Sequence, residues 1–133
     1  TMKHFIRPVS IGIGLVLLST VIAESLGLYE IFPSFDKALH FSGGIVAGWI
    51  SYLVVRRYLS PAPMWVQWFV VLGGTALFGV VWEFAEYTSS ALDFYFAVEG
   101  YLYIGDLRDT MFDLMLDVAG GSVAALWHIK KHS

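Results

Sequence analysis

The chain has no cysteine among its 133 residues. Disulfides and thiolate metal sites are therefore excluded, and soft-metal chemistry such as Cu(I) binding is disfavoured. Charge is scarce too: Asp, Glu, Lys and Arg make up only 14% of the sequence, where a soluble domain carries about a quarter. Only 4 prolines occur. No Gly-rich phosphate loop, internal repeat, low-complexity tract or nucleic-acid motif is visible, so nucleic acid is not expected as a partner. What is abundant is apolar. Hydrophobic residues reach 57% and mean hydropathy is +0.67, the composition of an integral membrane protein. The length suits one transmembrane domain over residues 1–133 and leaves no room for a sizeable soluble module.

Four stretches, at residues 9–28, 38–59, 65–87 and 109–129, are long enough to cross a hydrocarbon core of about 30 Å. Pro33, Pro61, Pro63, Gly100 and Gly105 punctuate them. The expected fold is all-α, an integral membrane four-helix bundle. The first stretch also has features of a signal peptide, with Lys3 and Arg7 ahead of it and Val21, Ile22 and Ala23 as a cleavage site. Because the apolar run continues through Leu26 and Leu28, a span is preferred. Lys3 and Arg7, Arg56 and Arg57, and Lys130 and Lys131 then fall on one side, which the positive-inside rule makes the cytoplasm. Both termini are expected there. Trp65, Trp68, Trp82 and Trp127 lie toward span ends, as an interfacial belt requires.

In this topology the acids Glu24, Glu30, Asp36, Glu83, Glu86, Asp93 and Glu99 all lie in outer halves of spans or in outer loops. So do Asp106, Asp109, Asp113 and Asp117, whose spacings of three, four and four place them on one helical face. Asp106, Asp109 and Asp36 have a structural alternative, since carboxylates cap and stabilise helix starts. Asp113 and Asp117 lie too deep for that, and their alternative is hydrogen bonding between helices. His40 follows Asp36 by one turn, and Glu83 and Glu86 lie three residues apart near the outer end of the third span. For Glu86 a solvated position is the alternative, and for His40 a satisfied interhelical contact. Gly43, Gly44, Ala47 and Gly48, with Gly120, Gly121, Ala124 and Ala125, allow close helix packing just below.

Charged groups in hydrocarbon are rare and usually face a partner, an ion or a cavity. Several carboxylates in a water-poor pocket need cations or protons to neutralise them. Oxygen ligands with one imidazole suit Mg²⁺, Mn²⁺, Zn²⁺ or Fe²⁺. The candidate ligands are Asp36, His40, Glu83, Glu86, Asp109, Asp113 and Asp117, enough for two metals. Lys37 and Arg108 are the basic side chains at this level, suited to an anionic substrate group or to salt bridges with the neighbouring acids. The stretch 89–105, rich in Tyr and Phe, is expected as an outer loop over the site.

Asp36-Lys37-x-x-His40, Glu83-x-x-Glu86 and Arg108-x4-Asp113-x3-Asp117-x2-Gly120 together resemble the VanZ-like family of small bacterial membrane proteins. The pattern looks closer still to four-span relatives sharing the stretch Gly105-Asp106-Leu107-Arg108-Asp109-Thr110. The resemblance implies a multi-pass protein of the bacterial inner membrane and an association with low-level teicoplanin resistance, without fixing a mechanism. Glu86 stands where the VanZ pattern usually has Gln, and Asp117 where it usually has Asn. Both departures add a carboxylate and favour cation binding.

Three functions are compatible with these residues. The first is a metal-dependent hydrolase or transferase acting at the outer leaflet on a lipid-linked phosphate or cell-envelope precursor. There Asp113, Glu83 and His40 would supply catalytic groups, and Lys37 and Arg108 would hold the substrate. The second is a transporter or binding protein for divalent cations or protons. No carboxylate continues such a path through the inner halves of the spans, so a homo-oligomer or backbone carbonyls would have to complete it. The third is a non-enzymatic envelope accessory protein.

Overall fold

Local chemistry sets the helix boundaries. The computed structural model describes residues 3–32, 34–59, 61–96 and 106–131. α1 (Lys3–Ser25) is followed by the single turn α2 (Leu28–Ile31), then α3 (Phe35–Leu59), α4 (Met64–Phe96) and α5 (Leu107–Lys131). Gly27, in the left-handed region at φ 62°, ends the first helical run. The first expected span therefore stops at Ser25 rather than continuing through Leu28. α3 ends just before Pro61, whose ring and missing N–H do not suit a helix interior. α5 starts on a cap, the Asp106 carboxylate accepting the Asp109 backbone N–H at 2.9 Å.

Among the described residues the molecule is all-helical, with four long helices. Three of them are long and apolar enough to cross a membrane: Phe35–Leu59, Met64–Ser89 and Leu107–Ile129. α1 contributes a shorter apolar run, Ser10–Ala23, among the described residues. The 33 residues of α4 rise about 50 Å, well beyond a core of about 30 Å. Its last turns overturn part of the loop expected at 89–105, because Tyr, Phe and Leu there continue the helix through Phe96. Residues 97–105, including Glu99, lie outside the described residues.

α3 and α5 form the tightest crossing, and glycines make it so. A Cβ on Gly44 would overlap the Asp117 backbone, and one on Gly48 would come within 2.8 Å of the Gly121 Cα. Gly120 lies equally close to the Phe41 carbonyl and sits 2.8 Å from the Ile45 nitrogen by the same measure. Such contact between backbones is the main attraction available to helices in lipid. α4 packs on both partners, with Thr75 against Gly121. Away from the acids, Tyr52, Leu59, Val71, Ala125 and Ile129 form a buried apolar cluster. Tyr52 stacks there on His128, with ring centroids 4.8 Å apart.

α1 is held differently. It packs on α3 and α2, and among the described residues it comes within 8 Å, Cα to Cα, of neither α4 nor α5.

Candidate functional site

α3 and α5 run parallel and α4 antiparallel to both, which brings the start of α3, the acidic part of α4 and the start of α5 to one end of the bundle. Asp36, His40, Glu83, Glu86, Asp113 and Asp117 are all buried there. Asp109 is half-buried beside them.

Lys37 organises one side of the cluster. Its Nζ donates to Asp109 Oδ1 at 2.5 Å, to Asp113 Oδ1 and Oδ2 at 2.8 and 2.9 Å, and to Asp36 Oδ2 at 3.1 Å. One ammonium thus ties α3 to two successive turns of α5. This is the salt-bridge alternative for Lys37, and it engages both oxygens of Asp113. Arg108, one residue before Asp109, is exposed and makes no ion pair among the described residues.

His40 organises the other side. Its Nδ1 lies 3.4 Å from Asp117, and its Nε2 faces Asp36 Oδ1 at 3.8 Å. Asp117 is itself pinned by close backbone packing, since a Cβ on Gly79 would collide with its carboxylate. Glu86 is fixed from its own helix, where the Trp82 indole N–H donates to its Oε1 at 2.7 Å. Trp82 therefore belongs to the site, a role its interfacial position did not suggest; its spacing one turn before Glu86 was the available signal. Glu83 differs from its neighbours. Its Oε1 is buried without a hydrogen-bond partner, an arrangement that is costly unless something else satisfies it.

Among the described residues, three groups of side chains bring ligand atoms within 4.8 Å of one another: Asp36, His40 and Glu86; His40, Glu83 and Asp113; and Asp36, Asp109 and Asp113. Lys37 already occupies the last of these. Asp36, His40 and Glu86 also line a cavity of about 240 Å³. Asp117 and Thr75 contribute to its wall, and Thr20 reaches it from α1, but the rest of the lining is apolar apart from Trp82. Asp106 stands apart as an exposed helix cap. The side chains of Glu24, Glu30 and Asp93 lie outside what the structure describes.

The family model described as "Predicted membrane protein (DUF2238)" matches residues 4–133. The chain belongs to the DUF2238 family. Membrane residence, read from composition and from three apolar helices, agrees with that description. DUF2238 membership carries no activity, and the VanZ-like likeness remains a resemblance beside it. No curated protein and no solved structure matches the chain.

Proposed function

We propose that this protein is a divalent-metal-dependent enzyme of the bacterial inner membrane, hydrolysing or transferring a lipid-linked phosphate at the outer leaflet. The observation that carries the reading is the placing of Asp36, His40 and Glu86 together in the wall of a largely apolar cavity. These three would hold the metal. Asp117, 3.4 Å from His40 Nδ1, would orient the imidazole and leave Nε2 for the ion, as carboxylate–histidine–metal arrangements do. The metal would polarise a phosphoryl oxygen or activate water.

The catalytic base is Glu83, whose Oε1 has no partner. Asp113 is spent on Lys37 and serves instead to hold the helices in register. Arg108, exposed at the start of α5, is left to steady the substrate anion. The basic residues of the opposite end, Arg56 and Arg57 among them, orient both termini to the cytoplasm under the positive-inside rule. The VanZ-like resemblance adds a cell-envelope precursor as the substrate class.

Cation transport is the rival reading. The backbone contacts at Gly44, Gly48, Gly120 and Gly121 oppose it, because they seal the α3–α5 crossing directly below Asp117.

Metal content, measured by mass spectrometry on detergent-purified protein without a polyhistidine tag, tests the proposal. Near-stoichiometric Mg, Mn, Zn or Fe, lost in an Asp36→Asn/Glu86→Gln variant, is expected. Wild-type protein that stays metal-free after loading overturns it.

A further inference from the structure

The cavity has a shape and an entrance that identify what enters it. It lies between α1, α3 and α4, with Ile13, Val16 and Leu17 on one side, Val46 and Ile50 on the second, and Phe78 on the third. α1 and α4 line it without approaching one another among the described residues. The lining residues Ile13 and Leu17 on α1 and Phe78 on α4 are themselves exposed, so the cavity opens on this side, and the opening faces lipid: Leu18 and Val21 on α1, and Leu77 and Val81 on α4, are at least half exposed. The opposite side is closed by α3 and α5. At about 240 Å³ the space falls below the roughly 300–1,000 Å³ of a site enclosing a whole small molecule. It has room for part of a flexible chain.

We propose that the cavity receives one hydrocarbon chain of a membrane lipid, which enters sideways between α1 and α4 and brings its polar head to Asp36, His40 and Glu86. The inference deepens the proposed function and rests on it for the head only; the chain's place depends on the cavity alone. The cavity is lined by apolar groups, its gap opens into the bilayer, and its polar wall lies at one end, so an amphiphile is matched along its length. A soluble ligand would have to cross hydrocarbon to reach the same gap. Acyl and isoprenoid chains share this chemistry.

Gly43 supplies the probe. It lines the cavity, and a Cβ built on it meets nothing within 4 Å, so Gly43→Leu fills the space without disturbing the α3–α5 crossing. Gly73 is equally unobstructed but exposed and outside the lining, which makes Gly73→Leu the control.

The experiment uses full-length protein in phosphatidylcholine nanodiscs. One set contains a phospholipid with a diazirine at its acyl terminus, the other an isoprenyl phosphate with a terminal diazirine. After irradiation, adducts are mapped by peptide mass spectrometry. Expected are adducts on Val46 and on Ile50, which is only 4% exposed, from whichever chain is the occupant. Gly43→Leu should lower them roughly fifteenfold, the loss of room for about two buried methylenes, and Gly73→Leu should leave them unchanged. Adducts confined to outward residues such as Phe69 and Leu77 in the wild-type protein would overturn the proposal whether or not Gly43→Leu folds. Adducts on Val46 and Ile50 in wild-type protein that takes up no metal after loading would keep the chain site and remove the metal reading, whereas bound metal without those adducts would do the reverse, so the two failures are separable.

Discussion

Replacing Lys37 by Met tests how the acidic end is held together. The ammonium lies 2.5 Å from Asp109, 2.8 Å from Asp113 and 3.1 Å from Asp36, so one substitution leaves three carboxylates without their shared cation. Breaking a fully buried ion pair by removing one partner costs about 3–5 kcal/mol. The Lys37 side chain is 26% exposed, whereas that of Asp113 is 4% exposed. Water reaches the lysine end of the network, and a loss of about 2 kcal/mol is the appropriate expectation once screening is allowed for. The assay is unfolding in mixed micelles, followed by circular dichroism. Two further results should accompany the loss. Lys37→Met/Asp113→Asn should recover most of the stability, because the deepest unpaired charge is gone. Millimolar Mg²⁺ or Mn²⁺ should stabilise Lys37→Met more than wild type, because Asp36, Asp109 and Asp113 bring ligand atoms within 4.8 Å once the lysine is absent. Lys37→Met as stable as wild type, with no added response to cations, would refute the reasoning that this lysine neutralises the cluster.

Two other predictions concern packing and capping. Gly44→Ala should destabilise by about 1–3 kcal/mol through overpacking, since its Cβ would overlap the Asp117 backbone, whereas the adjacent Gly43→Ala meets nothing within 4 Å and should be near neutral; thermal melting of both in one detergent checks the contrast. Asp106→Ala should cost about 1 kcal/mol of stability through loss of the cap and leave metal content unchanged, a result read by the same melt and by mass spectrometry.

The helices were legible in sequence because their signal is additive. Long apolar runs broken by Pro61 and Pro63, and a stop at Leu59, leave little freedom for α3 and α4 to start or end elsewhere. The site was legible only as residue types at a common depth. Spacing put Asp106 on one face with Asp109, Asp113 and Asp117, yet Asp106 is a cap and Asp109 and Asp113 face a lysine. Periodicity fixes which side of a helix a carboxylate occupies and is silent about what lies opposite. Trp82 was read as interfacial because membrane depth alone explains a tryptophan there, while its bond to Glu86 depends on rotamers. The extension of α4 through Phe96 was missed because its aromatic and polar residues suit a loop above the membrane as well as a helix rising out of it.

The glycines and the acidic site are one design, not neighbouring features. Asp117 presents its backbone to Gly44 and its carboxylate to Gly79, and the same carboxylate faces His40 Nδ1 at 3.4 Å. His40 lies one turn before Gly44 on α3, so the closeness of the α3–α5 crossing sets the His40–Asp117 distance directly. A larger side chain at Gly44 would therefore move the imidazole away from its carboxylate as it separated the helices. Small residues in a membrane helix are usually explained by association alone. Here they also bring the Asp117 carboxylate within 3.4 Å of His40 Nδ1. Packing free energy and site geometry are coupled through Asp117.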